Sequence, residues 1–446
     1  MFHSVLVANR GEIACRVMRA ARSLGMRTVA IYSDADSQAV HTQLADEAIH
    51  IGGSPVHESY GNAPRIIGAA EEAGVDALHP GYGFLAENAD FAEMVLSRGI
   101  TWVGPDPQTM RQLGDKSRAR DIVSAAGFPV SRGVAVRASD DSMAACADLG
   151  FPVILKPSAG GGGIGMRVIH EKDDLASALE AVQRQAGRLF GSQEVLVEPY
   201  LAGARHIEIQ ILGLADGRII TLGERDCSIQ RRYQKVIEEA PSPGMSADLR
   251  RRMSDAVVEA ARAVGYRNAG TFECLVADDR FMFLEVNTRL QVEHPITEEV
   301  TGVDLVAAQF RIAAGEPVEL PDRVETQGHA IELRVCAEDP DSLLPRPGRI
   351  DRWEPPNGPG VRVDSGFRAG DEVTPFYDPL LAKLIVSGSD REQSIERATA
   401  AVDTFVVEGI VTNLPFHARL LRDERFARGD YSTTLVSDVQ SKPRYG

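Results

Sequence analysis

The segment Leu284-Glu285-Val286-Asn287-Thr288-Arg289-Leu290-Gln291-Val292-Glu293-His294 alternates two chemistries. Its odd positions carry Glu285, Asn287, Arg289, Gln291 and Glu293, while Leu284, Val286, Leu290 and Val292 occupy even positions. In an extended chain one face is then apolar and the other bears an unbroken row of ionic and amide side chains. A sheet face washed by solvent would also be polar. The partner strand argues against so plain a role. Gly270–Val286 reads as a hairpin turning at Asp278-Asp279. With Asp278-Asp279-Arg280 as a three-residue loop, Glu273 lies directly opposite Glu285. Facing carboxylates repel unless a cation bridges them. Mg²⁺ does so, taking oxygen ligands from one or two carboxylates and from nucleotide phosphates. Asn287 adds an amide oxygen, so Glu273, Glu285 and Asn287 are read as a Mg²⁺–nucleotide site. Arg289 and Gln291 suit a small planar anion, because a guanidinium fork matches a carboxylate-like group. Glu293 stands within reach as a general base.

Upstream, His206, Glu208 and Gln210 share a face opposite Ile207, Ile209 and Ile211, in the first arm of a hairpin, Arg205–Leu222, turning at Asp216-Gly217. The run Ser228–Glu239 is dense in charge through Arg231, Arg232, Lys235, Glu238 and Glu239. Charge runs are usually solvated, and Lys235 is singled out as the exception. Further upstream, Gly160-Gly161-Gly162-Gly163-Ile164-Gly165 lies between the strand-like segments Val153–Leu155 and Met166–Ile169, as a hairpin tip would. Bare glycines let backbone N–H groups wrap an anion, and Lys156 brings a charge to the same phosphates. No GxxxxGK[ST] is present, which excludes a P-loop fold.

The first hundred residues alternate strands (Val5–Val7, Thr28–Tyr32, Ala77–His79, Ile100–Val103) with helices (Glu12–Leu24, Ile66–Glu72, Asn88–Ser97), which implies a parallel sheet. The first strand-to-helix turn, Ala8-Asn9-Arg10-Gly11-Glu12, lacks GxGxxG and disfavours a nicotinamide or flavin enzyme. A helix Lys116–Ala126 is followed by a strand-rich stretch to Tyr200, and an amphipathic helix carries Leu249, Met253, Val257, Ala260 and Val264. From about Ala330 a third region has strands at Ile331–Val335 and Leu384–Val386, with Glu332 and Arg334 sharing one face. A helix there opens with Asp390 and Gln393 as a capping pair.

The chain has 446 residues and a formal charge of −16, with 43% hydrophobic and 25% charged residues. That is a globular composition with room for several domains. The acidity argues against nucleic acid and against anionic membrane surfaces. Five cysteines without a CxxC read as reduced, buried thiols of a cytoplasmic protein, Cys227 among them. No signal peptide or membrane span is legible. Nothing resembles a Ser-His-Asp order or HExxH, so hydrolase and zinc-protease classes have no support.

Several strings occur in order: Val7-Ala8-Asn9-Arg10-Gly11-Glu12-Ile13-Ala14, His79-Pro80-Gly81-Tyr82-Gly83-Phe84-Leu85, Gly114-Asp115-Lys116, and the glycine loop after Lys156. Glu224-Arg225-Asp226-Cys227-Ser228, Gln234-Lys235, Glu238-Glu239-Ala240-Pro241 and Glu285 to Pro295 follow. Together they resemble biotin carboxylase, the ATP-grasp component of acetyl-CoA and related acyl-CoA carboxylases, from Met1 to about Tyr431.

The resemblance implies an α/β and α+β chain in three parts. Residues 1–113 would form a Rossmann-like N-terminal (pre-ATP-grasp) domain, 114–325 an ATP-grasp domain with a mobile glycine-rich lid at 131–203, and 326–446 a biotin carboxylase C-terminal domain. It implies that ATP phosphorylates bicarbonate to carboxyphosphate, which carboxylates biotin on a carrier protein, with Mg²⁺ or Mn²⁺ as cofactor. ATP would be held by Lys116, Lys156, Gly161, Gly162 and Gly163, with Glu198 and Leu201 lining the adenine pocket and His206 touching the nucleotide. Lys235, Arg289, Gln291 and the Val292 backbone would bind bicarbonate. Glu293 would deprotonate it, Arg334 would stabilise the biotin enolate, and Glu273, Glu285 and Asn287 match the metal site. A homodimer is implied. The chain has no Met-Lys dipeptide and too little length for a carboxyltransferase domain. If complete, it is expected to use a carrier protein and carboxyltransferase in trans, and if it is a fragment of a longer carboxylase the carrier could be covalently linked. The family pattern is broken at Ile164 (usually Arg or Lys), Tyr233 (usually His) and Arg346 (usually small). Two alternatives stand beside this reading: another ATP-grasp carboxylate ligase, or a weakened nucleotide-binding regulatory homologue.

Overall fold

The computed structural model describes residues 1–137, 146, 148–158 and 165–441. At the N-terminus five parallel strands lie in the order Glu47–Gly52, Arg27–Ser33, Ser4–Val7, Ala77–His79, Thr101–Trp102. The expected strands and helices are all present, and Glu47–Gly52 is an addition that periodicity did not reveal. The first helix, Gly11–Ser23, buries Ile13, Ala14, Val17, Met18 and Ala21 at helical spacing. Gly11 enters it with φ +64, a conformation that costs a side-chain-bearing residue about 1–2 kcal/mol.

A second, antiparallel sheet of four strands runs Val134–Val136, Val195–Pro199, Val153–Pro157, Arg167–Ile169. The two strands flanking the glycine cluster do pair with each other, Leu155 opposite Arg167. The stretch is less strand-rich than its sequence suggests, because Leu175–Phe190 is a helix of 16 residues. Leu175, Ala178, Leu179, Val182 and Ala186 form its buried stripe, and they close a small core with Val153, Leu155, Val195 and Val197.

The rest of the molecule is organised by one eight-stranded sheet: Arg280–Asn287, Asn268–Ala277, Arg205–Gly213, Ile219–Arg231, Gln234–Ala240, His329–Cys336, Leu380–Gly388, Val361–Ser365. Every neighbouring pair is antiparallel. The sheet crosses from the second region into the third without a break, through Gln234–Ala240 paired with His329–Cys336. Helix Ala247–Ala263, capped by Ser246 Oγ, packs Leu249, Met253 and Val257 with Ile207, Ile209 and Phe272. Helix Arg391–Thr404, capped by Asp390 as expected, covers Ile331, Leu333, Leu384 and Val386. Each such buried aliphatic side chain contributes about 1.5–3 kcal/mol.

The hairpin register is as expected, but its route is different. Asp278 and Asp279 alone make the turn, both with positive φ (50 and 58), as a two-residue primed turn requires. A bulge between Glu273 and Cys274 then supplies the residue that restores Glu273 opposite Glu285. The extended segment also stops earlier than expected, at Asn287. Thr288–Glu293 is an irregular loop that leads into helix His294–Thr301.

Candidate active site

Glu273 is the centre of the polar cluster. Its Oε1 accepts from Asn287 Nδ2 (2.7 Å), Gln291 Nε2 (2.7 Å) and Lys235 Nζ (3.1 Å). Its Oε2 lies 2.7 Å from His206 Nε2. Lys235 also donates to Glu208 Oε2 at 2.6 Å and to Glu293 Oε1. The other oxygen of Glu293 accepts from Arg334 Nη2 at 3.0 Å, and Arg334 Nε reaches Glu238 at 2.7 Å. Arg289 donates to Asn287 Oδ1 at 2.9 Å and sits 3.2 Å from Glu87. Thus Lys235, His206, Glu273, Asn287, Arg289, Gln291, Glu293 and Arg334, spread over several strands and a loop, come together as the sequence suggests.

The charges within this cluster tune one another. Burial by itself would raise the pKa of Glu293, but Lys235, Arg334 and Arg225 outweigh it and hold the carboxyl below its usual range. Glu273 is held well below that range in the same way, burial being opposed by Lys235 and His206. Burial would lower His206, yet Glu273's charge and contact raise it. Burial likewise opposes the Lys235 ammonium, and Cys227, Glu208, Glu273 and Glu293 together keep it firmly charged. Glu208, Glu273 and Glu293 all converge on that one ammonium, which already supplies the cation these buried carboxylates need.

Arg225 is a structural hub that no local pattern singles out. It is fully buried and donates to Glu208, Gln210, Thr297, Thr271 and Gln291. Its one signal is the Glu-Arg-Asp string within strand Ile219–Arg231. The charge run after it is not a solvated face either: Glu238 and Glu239 are buried, at 0% and 1% exposure. Cys227 is a buried thiol whose pKa is pushed well above its usual value, chiefly by burial, so it is no nucleophile. All five cysteines are buried and unpaired, as expected.

The other residues lie apart. Lys156 Nζ is 2.5 Å from Glu198 Oε2 across the small sheet, with Ser131 donating to Glu198 and Arg120 3.8 Å away. Burial would raise Glu198, but Lys156 leads the groups that hold it low. Leu201 is half-buried just past that strand. Gly161, Gly162, Gly163 and Ile164 lie outside the described residues. Lys116 opens helix Lys116–Ala125 with its Nζ 3.5 Å from Glu285 Oε2. The basic side chains therefore do not make an unopposed positive field: Lys116, Lys156, Lys235, Arg289 and Arg334 each face a carboxylate.

The chain matches three family descriptions in sequence: "Biotin carboxylase, N-terminal domain" over residues 1–110, "Carbamoyl-phosphate synthase L chain, ATP binding domain" over 115–320, and "Biotin carboxylase C-terminal domain" over 332–438. It is 46% identical to the biotin carboxylase of Pseudomonas aeruginosa, covering 96% of each chain. The chain belongs to the biotin carboxylase family. This family member is also 48% identical to biotin carboxylase 2 of Bacillus subtilis, over 98% of this chain and 99% of that protein. Among solved structures it superposes on the biotin carboxylase domain of Hydrogenobacter thermophilus 2-oxoglutarate carboxylase, described as a dimer with MgADP, ADP and bicarbonate. The TM-score is 0.95 at 42% identity, with both chains fully covered. Similarity that includes the C-terminal region does not favour a different ATP-grasp ligase.

The departures from the family pattern fall at two described positions. Tyr233 is 41% exposed, and with Arg232 it makes the tight turn just before the strand bearing Lys235. Arg346 is exposed, 3.9 Å from Asp339 and away from the cluster.

Proposed function

We propose that this biotin carboxylase uses ATP to carboxylate biotin with bicarbonate, and that the residues converging on Glu273 and Glu293 carry out the chemistry. Bicarbonate docks on Lys235, Arg289, Gln291 and the Val292 backbone. Its negative charge draws Lys235 away from Glu293, which relieves one of the cations holding that carboxyl low and makes it a better base. Glu293 takes the bicarbonate proton, and the freed oxygen attacks the γ-phosphorus of ATP. ADP leaves, and carboxyphosphate remains. The departing phosphate takes the N1′ proton of biotin, Arg334 stabilises the resulting enolate oxygen, and the carboxyl passes to N1′.

Lys116, Lys156 and His206, with Gly161, Gly162 and Gly163, hold ATP, and Glu198 and Leu201 line the base. The oxygen-rich set Glu273, Glu285 and Asn287 fits a hard divalent ion. Glu285 is the open member, its side chain 32% exposed and its nearest cation 3.5 Å away. Mg²⁺ or Mn²⁺ held by these residues would neutralise phosphate charge. Residues 1–113, 114–325 and 326–446 act as N-terminal, ATP-grasp and C-terminal domains, with 131–203 as a lid over the labile intermediate. The enzyme works in the cytoplasm as a homodimer, together with a biotin carrier and a carboxyltransferase. Among the described residues no helix is long and apolar enough to cross a membrane.

The observation that carries this reading is Glu293 clamped between Lys235 and Arg334 beside the Arg289–Gln291 pair. The test is phosphate release from ATP with bicarbonate and free biotin. Release that needs bicarbonate and rises with biotin supports the proposal. Release indifferent to both overturns it, and ATP binding without release favours the regulatory homologue.

A further inference from the structure

Behind Arg334 lies a second pair of facing carboxylates. Glu238 and Glu332 are directly opposed across antiparallel strands, a placement that puts their Cβ atoms about 4.5–5.5 Å apart on one face. Both are fully buried. Glu238 Oε1 accepts from Arg334, but its Oε2 has no partner, and neither oxygen of Glu332 has one. On its other flank Glu332 faces Ile385, which offers no donor. The buried Lys383 ammonium is committed elsewhere, to the Val292 carbonyl and Glu12. The orphaned oxygens are all acceptors, and the donor they lack is a single hydrogen.

We infer that Glu238 and Glu332 share one proton, and that this proton sets how tightly Glu238 holds Arg334 and how much of Arg334 is left for Glu293 and the biotin enolate. The inference rests on the proposed function only in taking Glu293 as the base and Arg334 as the partner of biotin. Two ionised carboxylates face to face in a buried site repel, and a neutral acid opposite an anion does not. With the proton in place, the row Glu332, Glu238, Arg334, Glu293, Lys235 alternates charge after one neutral member. Without it, Arg334 faces an extra negative charge on the side away from biotin.

The surroundings agree. Glu332 is pushed well above the usual carboxylate range by burial, with Glu238 and Glu293 adding to that and Lys383 and Arg334 opposing it. Glu238 is pushed up to about 7, again by burial first, with Arg334 opposing. Lys235 also faces Glu238, Glu12 and Asp364 stand behind Lys383, and the buried Tyr82 hydroxyl near Glu332 donates to Glu12 instead. Helix His294–Thr301, packed on this face, presents His294, which burial keeps neutral, and Glu298, which pairs with Arg16 and Arg362. Behind the Arg334 backbone, burial holds His417 down to about 4, so it is neutral too. Because the two acids are coupled, the proton belongs to the pair.

The test is infrared difference spectroscopy of the full chain across pH, together with pH profiles of biotin-stimulated phosphate release, in wild type and Glu332→Gln. The expected result is a protonated-carboxyl carbonyl band near neutral pH that disappears in Glu332→Gln. The wild-type biotin-stimulated rate should fall by about fivefold on the alkaline side as the band titrates away, roughly 1 kcal/mol of lost Arg334 interaction. The Gln variant, permanently neutral there, should lack that limb. Glu238→Gln should keep the band but titrate at lower pH, since the like charge opposite is gone, and it provides the readout should Glu332→Gln not fold. No such band in wild type, or the same alkaline limb in wild type and Glu332→Gln, overturns the inference. The band requires no turnover, so its absence refutes the shared proton even in an active enzyme. A wild type that shows the band but no biotin stimulation refutes the proposed function instead.

Discussion

Lys383 Nζ donates to the Val292 carbonyl oxygen at 2.9 Å from a site with no solvent exposure. The same ammonium lies 3.2 Å from Glu12 Oε2. One side chain from the C-terminal region thereby ties the first helix of the chain to the peptide immediately before Glu293.

Removing it leaves Glu12 buried with the Tyr82 hydroxyl as its hydrogen-bond donor but no cation. Breaking a buried ion pair from one side costs about 3–5 kcal/mol, so Lys383→Met should lower the melting temperature sharply. Adding Glu12→Gln should recover most of that loss, because the stranded charge is gone. Thermal melts of the two variants decide it, and an additive double variant would contradict the pairing.

Glu293→Gln keeps the shape of the side chain and removes the base. General-base catalysis is worth about 10²–10⁴-fold, so bicarbonate-dependent phosphate release should fall by that order with ATP affinity little changed. Paired kinetic and nucleotide-binding measurements check both halves.

Glu239 makes a pH prediction. Burial would raise its pKa, but His329 and Arg391 lower it from 4.5 to about 2, with contacts of 2.9 and 2.7 Å. A depressed folded-state value means the stabilisation is complete above 4.5 and vanishes as pH falls through about 2. Glu239→Gln should therefore be less stable than wild type at neutral pH, by roughly 3 kcal/mol. The gap should close across that acid window. Denaturant melts at several pH values test the sign.

The turn Arg232-Tyr233 has φ of 49 and 69 at its two positions, where side-chain-bearing residues are disfavoured and Asn-Gly is the usual solution. Arg232→Asn with Tyr233→Gly should stabilise the fold by about 1–2 kcal/mol. A lower melting temperature would show that Tyr233 makes a contact worth more than the strain.

Removing divalent ions with a chelator should stop ATP turnover without unfolding the chain, and Mg²⁺ or Mn²⁺ should restore it. Glu285→Gln should raise the metal concentration needed for half-maximal rate by about tenfold or more. An unchanged metal titration would remove Glu285 from the site.

Local pattern carries much of the fold and site. The alternation from Leu284 onward singles out Asn287, Gln291 and Glu293, which the fold gathers around Glu273 and Lys235, and apolar spacing locates most helices and strands. Some expectations hold by a different path: Glu273 faces Glu285 through a shorter turn and a compensating bulge, and Glu293 arrives on a loop rather than a strand. A bulge leaves no signature in side-chain periodicity, so the sequence could not separate the two routes.

Local pattern supplies the inventory: parallel βαβ units first, hairpins next, and the polar row of Glu273, Glu285, Asn287, Arg289, Gln291 and Glu293. Tertiary structure alone decided which charges meet. Arg225 as a hub, Lys383 under Val292, and Glu238 against Glu332 all depend on pairings between residues 15 to 94 positions apart. The register of distant strands is chosen by the whole packed sheet, and no local window of sequence contains it.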